Sequence, residues 1–104
     1  MNRKFYNALE NQMAEEGKSV GTYREYFANV RYMEEFFKGK NFNEITEKDL
    51  KKYIKYLNHE YSKTTYNNHI AALRYLYKKV LKKPNMIEIL SLKQIYEKVS
   101  SVEN

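Results

Sequence analysis

Residues 62–83, SKTTYNNHIAALRYLYKKVLKK, constrain the fold of this chain more than any other segment, because their apolar residues recur at the spacing of an α-helix. At about 100° per residue, one face of that helix is apolar and consists of Tyr66, Ile70, Leu73, Leu76, Tyr77 and Val80. The opposite face carries short polar residues and then lysines: Thr64, Asn67, Asn68, Ala71, Tyr75, Lys78, Lys79 and Lys82. No Asp or Glu interrupts this second face. The pattern predicts an amphipathic helix with one face in the core and the other toward an anionic partner.

Two helices are predicted at the start of the chain. The first spans about Lys4–Glu16, and Gly17 and Gly21 mark the break that follows it. The second opens with Thr22 as N-cap and Glu25 as its capping-box partner, and ends at Gly39. Their predicted inner faces are Phe5, Leu9 and Met13, and then Tyr23, Tyr26, Phe27, Val30, Met33 and Phe37.

A third helix precedes the segment already described. Thr46 caps it with Asp49 as box partner, and the loop before it is anchored by Phe42 and Ile45. Its predicted inner residues are Leu50, Tyr53, Ile54 and Leu57, and its outer ones are Lys48, Lys51, Lys52 and Lys55.

The fourth helix is the one over residues 62–83, with Ser62 or Thr64 as its cap and Pro84 as its stop. A weaker helix is predicted over Ile87–Val99. We therefore expect an all-α fold, a compact four-helix bundle with an additional C-terminal helical tail. The bundle would comprise residues 1–84 and the tail residues 85–104.

The positive charge is concentrated in one third of the chain. Residues 48–83 hold ten Lys or Arg and two acids, which gives this segment a net charge of +8. The net charge of all 104 residues is +6, because the other segments are slightly negative. Residues 1–47 (seven against eight) and 84–104 (two against three) each sum to −1. This distribution favours a polyanionic partner, and lysines that only solvate the helices are the alternative.

Several functional classes are disfavoured by what the sequence lacks. It has no cysteine, no Gly-rich phosphate loop, and two histidines, His59 and His69, without a carboxylate at metal-ligand spacing. His69 also falls on the inner flank of its helix. We expect no catalytic residue, no metal and no cofactor. No window approaches the roughly 18 apolar residues of a membrane span, so we expect no membrane contact. The N-terminal residues carry acids where a signal peptide needs an apolar run, and the chain has no cysteine, so we expect a cytoplasmic protein.

Two helix starts are candidates for binding phosphate. The fourth helix opens with Ser62, Lys63, Thr64 and Thr65 and continues to Asn67 and Asn68. Free backbone N–H groups at such a start suit phosphate oxygens, and Asn suits the edge of adenine. The second helix opens at Thr22 with Arg24 close behind. Ordinary helix capping is the alternative reading of both starts, and it is compatible with binding.

The order of these segments resembles the N-terminal core-binding domain of tyrosine recombinases, the integrases of phages and transposons. The resemblance runs from about Ser19 to Pro84. It rests on TYR at 22–24, FF at 36–37, EITEKDLKKYI at 44–54 and SKTTYNNHIAALR at 62–74, in this order and spacing.

The resemblance implies a SAM-like helical bundle that clamps one side of duplex DNA, with its second and fourth helices across the major groove. The matching positions imply DNA contacts at Thr22, Arg24, Lys63, Thr64, Thr65, Asn67, Asn68, Arg74 and Lys78. Arg74 lies on a flank, and either a phosphate or an internal acid is its expected partner.

The family's catalytic Arg, Lys, His-x-x-Arg and nucleophilic Tyr lie in a separate C-terminal domain, and Arg74 is the last arginine of this chain. We therefore expect a DNA-binding module without recombinase activity, either an excised domain or a truncated product. It would be nucleoid-associated when bound and monomeric when isolated, with a full-length parent that is oligomeric on DNA. The alternatives are a helical protein–protein interaction module that uses Tyr75 and the tail, or an RNA-binding bundle.

Overall fold

Apolar residues at helical spacing produce five α-helices in the part of the chain that the computed structural model describes, residues 2–93. They are α1 (Arg3–Glu15), α2 (Val20–Phe36), α3 (Glu47–Glu60), α4 (Lys63–Tyr75) and α5 (Pro84–Ile89). A 3₁₀ turn over Phe42–Glu44 precedes α3, and α4 continues as a π-helical turn over Leu76–Val80. The all-α class predicted from the sequence is confirmed.

The predicted inner faces meet in a single core. Its larger buried members are Phe5, Leu9, Met13, Val30, Met33, Phe42, Ile45, Leu50, Tyr53, Leu57, Tyr66, Ile70, Leu73, Leu76, Tyr77, Met86 and Leu90. α2 packs along α4, α1 packs against the π-helical turn, and α3 packs against α5. Rings of α2 such as Tyr26 and Phe27 pack at the edge of this core and remain half-exposed.

α2 begins three residues earlier than predicted, which corrects the assignment of its cap. Ser19 is the N-cap: its backbone is extended, and its Oγ accepts a hydrogen bond from the Thr22 N–H at 3.2 Å. Gly21 consequently lies in the first helical turn and not in a break. Ser caps a helix at least as well as Thr, and a single Gly costs a helix only about 1 kcal/mol. The predicted box of Thr46 and Asp49 is confirmed, with both hydrogen bonds at 3.1 Å.

Pro84 does not end α4, contrary to the prediction. The chain turns at Lys82, whose φ of 55° is left-handed, and the Lys83 N–H donates to the Tyr77 carbonyl at 2.9 Å. This bond satisfies a terminal carbonyl of the Leu76–Val80 turn before the proline is reached. Pro84 is instead the first residue of α5, where the absence of its N–H costs nothing.

The helix predicted over residues 87–99 is wrong in its bounds, since α5 ends at Ile89. Met86 and Leu90 are buried, so this segment is held against the bundle by apolar contacts. Residues 90–93 continue without helix. The remainder of the predicted helix and tail, residues 94–104, lies outside the described residues.

Candidate nucleic-acid interface

On the polar face of α4 and of the turn that continues it, a narrow strip is the part most exposed to solvent. α2 covers one flank, where the rings of Tyr26 and Tyr75 lie 5.4 Å apart and those of Tyr32 and His69 lie 5.5 Å apart. The segment that follows Pro84 covers the other flank. Between the two lies a strip, termed the outer stripe, of Thr64, Asn68, Ala71 and Lys78. Its residues are exposed except for Ala71, which is half-buried and small enough to let another backbone approach.

The start of α4 is electrostatically open to an anion. Ser62, one of the two predicted caps, is the N-cap, and its Oγ accepts from the Thr65 N–H at 3.4 Å. Lys63 and Thr64 are exposed, and N–H groups in a first helical turn have no acceptor within the helix. The first turn of α4 contains no acid, whereas that of α3 contains two. The positive end of the α4 dipole is therefore not compensated by its own helix.

The start of α2 lies at the other end of the helix pair. The two ring pairs between α2 and α4 show that these helices run antiparallel, so Thr22 and Arg24 lie toward Tyr75 and away from Lys63. The Thr22 hydroxyl and Ser19 Oγ are 3.0 Å apart, and Arg24 is exposed. At 1.5 Å per residue, the helix from Lys63 to Tyr75 is about 18 Å long. Two sets of candidate contacts are thus separated by the length of α4.

Comparison with protein families identifies the family of the domain. The family model described as the phage integrase N-terminal SAM-like domain matches residues 5–87. The chain belongs to this family. The match confirms the resemblance drawn from residues 19–84, extends it to α1, and concerns the N-terminal domain of the integrases, which is not their catalytic domain. Comparisons with curated proteins and with solved structures gave no match.

Two candidate contacts of this integrase SAM-like domain are engaged within the chain. The Asn67 amide donates to the Lys93 carbonyl at 2.9 Å and accepts from the Lys93 N–H at 2.8 Å. The Arg74 guanidinium donates to the carbonyls of Ile87 at 3.2 Å and Leu90 at 2.6 Å. Its partners are therefore backbone carbonyls at the end of α5, not the internal acid that the sequence allowed. Asn67 and Arg74 are seven residues apart and share one flank of α4, and this spacing separates them from the outer stripe.

A carboxylate from the residue that follows α1 reaches the C-terminal end of the α4 polar face. Glu16 accepts a hydrogen bond from the Tyr75 hydroxyl at 2.8 Å and lies 3.1 Å from Lys79 Nζ. Hydrogen bonds from Gln12, Tyr75 and Lys79 lower the pKa of Glu16 to about 2. Lys79 is thus paired, while Lys78 stays exposed. The polar face contains no acid in sequence, yet the fold supplies one from a distant segment.

Asn29 is a residue that sequence reasoning missed. It is buried on α2, and its amide donates to the backbone carbonyl of Asn68 at 3.2 Å. The bond ties α2 to α4 directly behind the outer stripe. A single polar residue beside Val30 within the apolar face of α2 is the signal that points to such a contact.

Within residues 2–93, no helix is both long and apolar enough to cross a membrane. No three His, Asp or Glu side chains there gather closely enough to hold a metal ion.

Proposed function

We propose that this domain binds duplex DNA through the outer stripe and the starts of α2 and α4, as the DNA-binding module of a tyrosine recombinase of phage or transposon type. The observation that carries the proposal is the acid-free, lysine-bearing start of α4 beside an exposed polar stripe. Family membership supports it, because this start lies in the matched segment.

Each exposed candidate suits a different part of a duplex. Lys63 and the N–H groups of the first turn suit a phosphate, and Lys78 suits a second phosphate at the other end of α4. Asn68 lies between them, where its amide can pair with a base edge. The major groove is about 12 Å wide, so a helix about 18 Å long can extend from one flanking backbone to the other. Arg24 adds a cation at the far end.

The engaged residues take a different role in this proposal. Asn67 and Arg74 hold the segment after Pro84 against α4, and Thr65 is half-buried beside the cap. We therefore assign direct contact to Thr22, Arg24, Lys63, Thr64, Asn68 and Lys78. Substitutions of Asn67 and Arg74 would affect DNA binding through the fold.

Titration with a short duplex at several salt concentrations tests the electrostatic part. If Lys63, Lys78 and Arg24 each neutralise one phosphate, log K plotted against log salt should have a slope of about −2.7, at roughly −0.9 per phosphate. Lys63→Ala and Lys78→Ala should each reduce this slope by about 1 and weaken binding to all sequences alike. Lys4→Ala, an equal change of charge at the start of α1, is the matched control. Binding that does not depend on salt, or that weakens equally in Lys4→Ala, would contradict the proposal.

A competition between duplexes of different sequence tests the reading of bases. Asn68→Ala should change the preference among duplexes by about 5-fold or more, since a good base contact contributes roughly 1–3 kcal/mol of discrimination. The salt slope should stay unchanged. Asn7→Ala, on the exposed face of α1, serves as control. Tighter binding of structured RNA than of duplex DNA would favour the RNA-binding alternative.

A further inference from the structure

α3 carries four lysines on the face opposite the core. Leu50, Tyr53 and Leu57 of this helix are buried, whereas the four lysines are exposed. The lysines recur at intervals of three and four residues, so they lie side by side on one face of the helix. We term this surface the lysine row: Lys48, Lys51, Lys52 and Lys55. None of the four belongs to the DNA contacts proposed above.

The charge of the lysine row is not neutralised within residues 2–93. No ion pair in that range includes a lysine of the row. The two acids at the start of α3 have other partners. Asp49 Oδ2 accepts from the Thr46 N–H at 3.1 Å and lies 2.9 Å from Lys40 Nζ, and Glu47 accepts from the Asn85 amide at 2.8 Å. The row therefore presents its positive charges to solvent.

Like charges within the row oppose the helix that carries them. Lys48 lies three and four residues before Lys51 and Lys52, and these two lie four and three residues before the last lysine of the row. Like charges at these spacings destabilise a helix. Surfaces that need only solubility intersperse both signs. An anion bound along the row would offset the repulsion, which favours a ligand over simple solvation.

The composition of this face favours a phosphate backbone. Lysine is depleted at protein–protein interfaces, and a helix that lies on a membrane needs an apolar face. The exposed aromatic residue of α3 is Tyr56, and its ring packs on Phe36 of α2 with centroids 4.9 Å apart. From Lys48 to Lys55 the row is about 10 Å long, which corresponds to about three nucleotide steps of roughly 3.4 Å. A line of phosphates thus matches the row in charge and in length.

The segment after Pro84 separates the lysine row from the outer stripe on one side. Its Asn85 amide donates to Glu47 of α3 at 2.8 Å. The backbone of its Lys93 forms two hydrogen bonds with the Asn67 amide of α4, at 2.9 and 2.8 Å. The segment therefore lies between α3 and α4.

α2 separates the two surfaces on the other side. Its Phe36 ring contacts Tyr56 of α3 at 4.9 Å, and its Tyr26 ring contacts Tyr75 of α4 at 5.4 Å. α3 and α4 thus lie on different sides of one core, and their outer faces diverge. Duplex DNA has a persistence length of about 150 base pairs, so a short duplex on the outer stripe does not bend around to the row.

We propose that the lysine row binds the phosphate backbone of a second duplex, so that one domain holds two DNA segments. The inference rests on the proposed function for the first segment, which lies on the outer stripe. Lysines that contact phosphates carry no sequence information, so the row holds the second segment whatever its sequence.

Energy transfer between two duplexes tests this bridging with the full chain. Short duplexes carry either a donor or an acceptor dye. At low salt, transfer should rise as the chain is added and fall again when the chain is in excess, because each chain then holds one duplex. An absence of transfer under conditions in which the same duplexes bind would overturn the proposal.

Substitutions in the row assign the second duplex to it. The double variant Lys51→Gln with Lys55→Gln should abolish transfer, since each lost phosphate contact lowers the affinity about 10-fold at low salt. Its preference among duplex sequences should stay unchanged. Lys4→Gln with Lys38→Gln removes the same charge outside the row and is the matched control. Transfer that survives in the row variant would indicate bridging by two chains and refute the assignment.

Thermal unfolding separates lost binding from lost folding. Lys55 follows two lysines of the row and has no acid within one helical turn. Lys55→Gln should therefore raise the melting temperature by about 2–4 °C, whereas Lys38→Gln should leave it unchanged. A lower melting temperature in Lys55→Gln would contradict the argument from repulsion.

Other results would point to other partners or to one of the two surfaces alone. Row-dependent binding to phosphatidylserine vesicles that a duplex does not displace would assign the row to membranes and overturn the proposal. Binding of one duplex that needs Lys63 and Lys78, without transfer, would refute the second site and leave the proposed function standing. Binding of one duplex that needs Lys51 and Lys55 but neither Lys63 nor Lys78 would support the row and refute the proposed function.

Discussion

Replacing Arg74 by alanine should lower the stability of the fold, and any weakening of DNA binding should follow from that loss. The guanidinium donates to the carbonyls of Ile87 and Leu90, at 3.2 and 2.6 Å. A hydrogen bond from a charged donor contributes about 1.5–3 kcal/mol. Arg74 is half-buried, so water can replace part of both bonds. We therefore expect a loss of about 2–3 kcal/mol for the pair, which for a domain of this size lowers the melting temperature by about 8–20 °C.

Urea unfolding followed by circular dichroism measures this loss. Arg74→Lys keeps the charge but not the planar pair of donors, so it should recover only part of the stability. Arg24→Ala is the matched control, because it removes the same side chain from an exposed position of α2. Salt should change the Arg74→Ala loss little, since the acceptors are neutral carbonyls.

One result would refute the reasoning about Arg74. If Arg74→Ala unfolded at the same urea concentration as the native chain and yet bound DNA less tightly, the guanidinium would be a phosphate contact. The bonds to α5 would then contribute nothing measurable. Hydrogen exchange of the Leu90 N–H gives an independent check, because loosening of the segment after α5 should speed it.

Substitutions at glycines, at a helix cap and at a carboxylate test three other local features. Gly21→Ala should stabilise the protein by about 0.5 kcal/mol, because the added Cβ meets only one atom at 3.9 Å; Gly39→Ala should cost about 1 kcal/mol, because φ there is +79°. Ser62→Ala should cost about 1 kcal/mol and Thr64→Ala almost nothing in thermal unfolding, since only the former removes the cap; equal losses would contradict that assignment. The Glu16 carboxylate has a folded pKa of about 2 against an ordinary 4.5. Its contribution to the free energy of unfolding is present above pH 4.5 and lost as the pH falls toward 2. In Glu16→Gln the free energy of unfolding should therefore depend less on pH between these two values.

Features that depend on a few neighbouring residues could be predicted from the sequence. The apolar spacing of α1, α3 and α4 fixes their inner faces, and the box of Thr46 and Asp49 is decided within four residues. The cap of α2 was predicted at Thr22 although Ser19 holds it, since both hydroxyls lie within one turn and only the entry of the chain selects between them. Ser and Thr are N-caps of similar strength, so the residue types alone do not choose between Ser19 and Thr22.

Features that depend on packing could not be predicted. The periodicity of α4 places Asn67 and Asn68 together on the polar face, yet Asn67 bonds to Lys93 and Asn68 is exposed. Adjacent residues of a helix point about 100° apart. When the segment after Pro84 covers one flank of α4, Asn67 is therefore covered and Asn68 is not. The pairing of Tyr75 with Glu16 joins residues 59 apart, and no local pattern encodes it.

The hydrogen bond from Asn29 to the Asn68 carbonyl, at 3.2 Å, bears on how the target preference of such a domain evolves. It fixes the rotation of α4 about its own axis at the residue proposed to read a base. A base-reading amide must keep its direction within about 10–20°, whereas a lysine reaches its phosphate from many directions. A change at Asn29 should therefore broaden the set of accepted sequences more than it lowers the overall attraction to DNA. Selection can then alter the preferred site through a buried residue of α2 while every residue that faces the duplex stays the same.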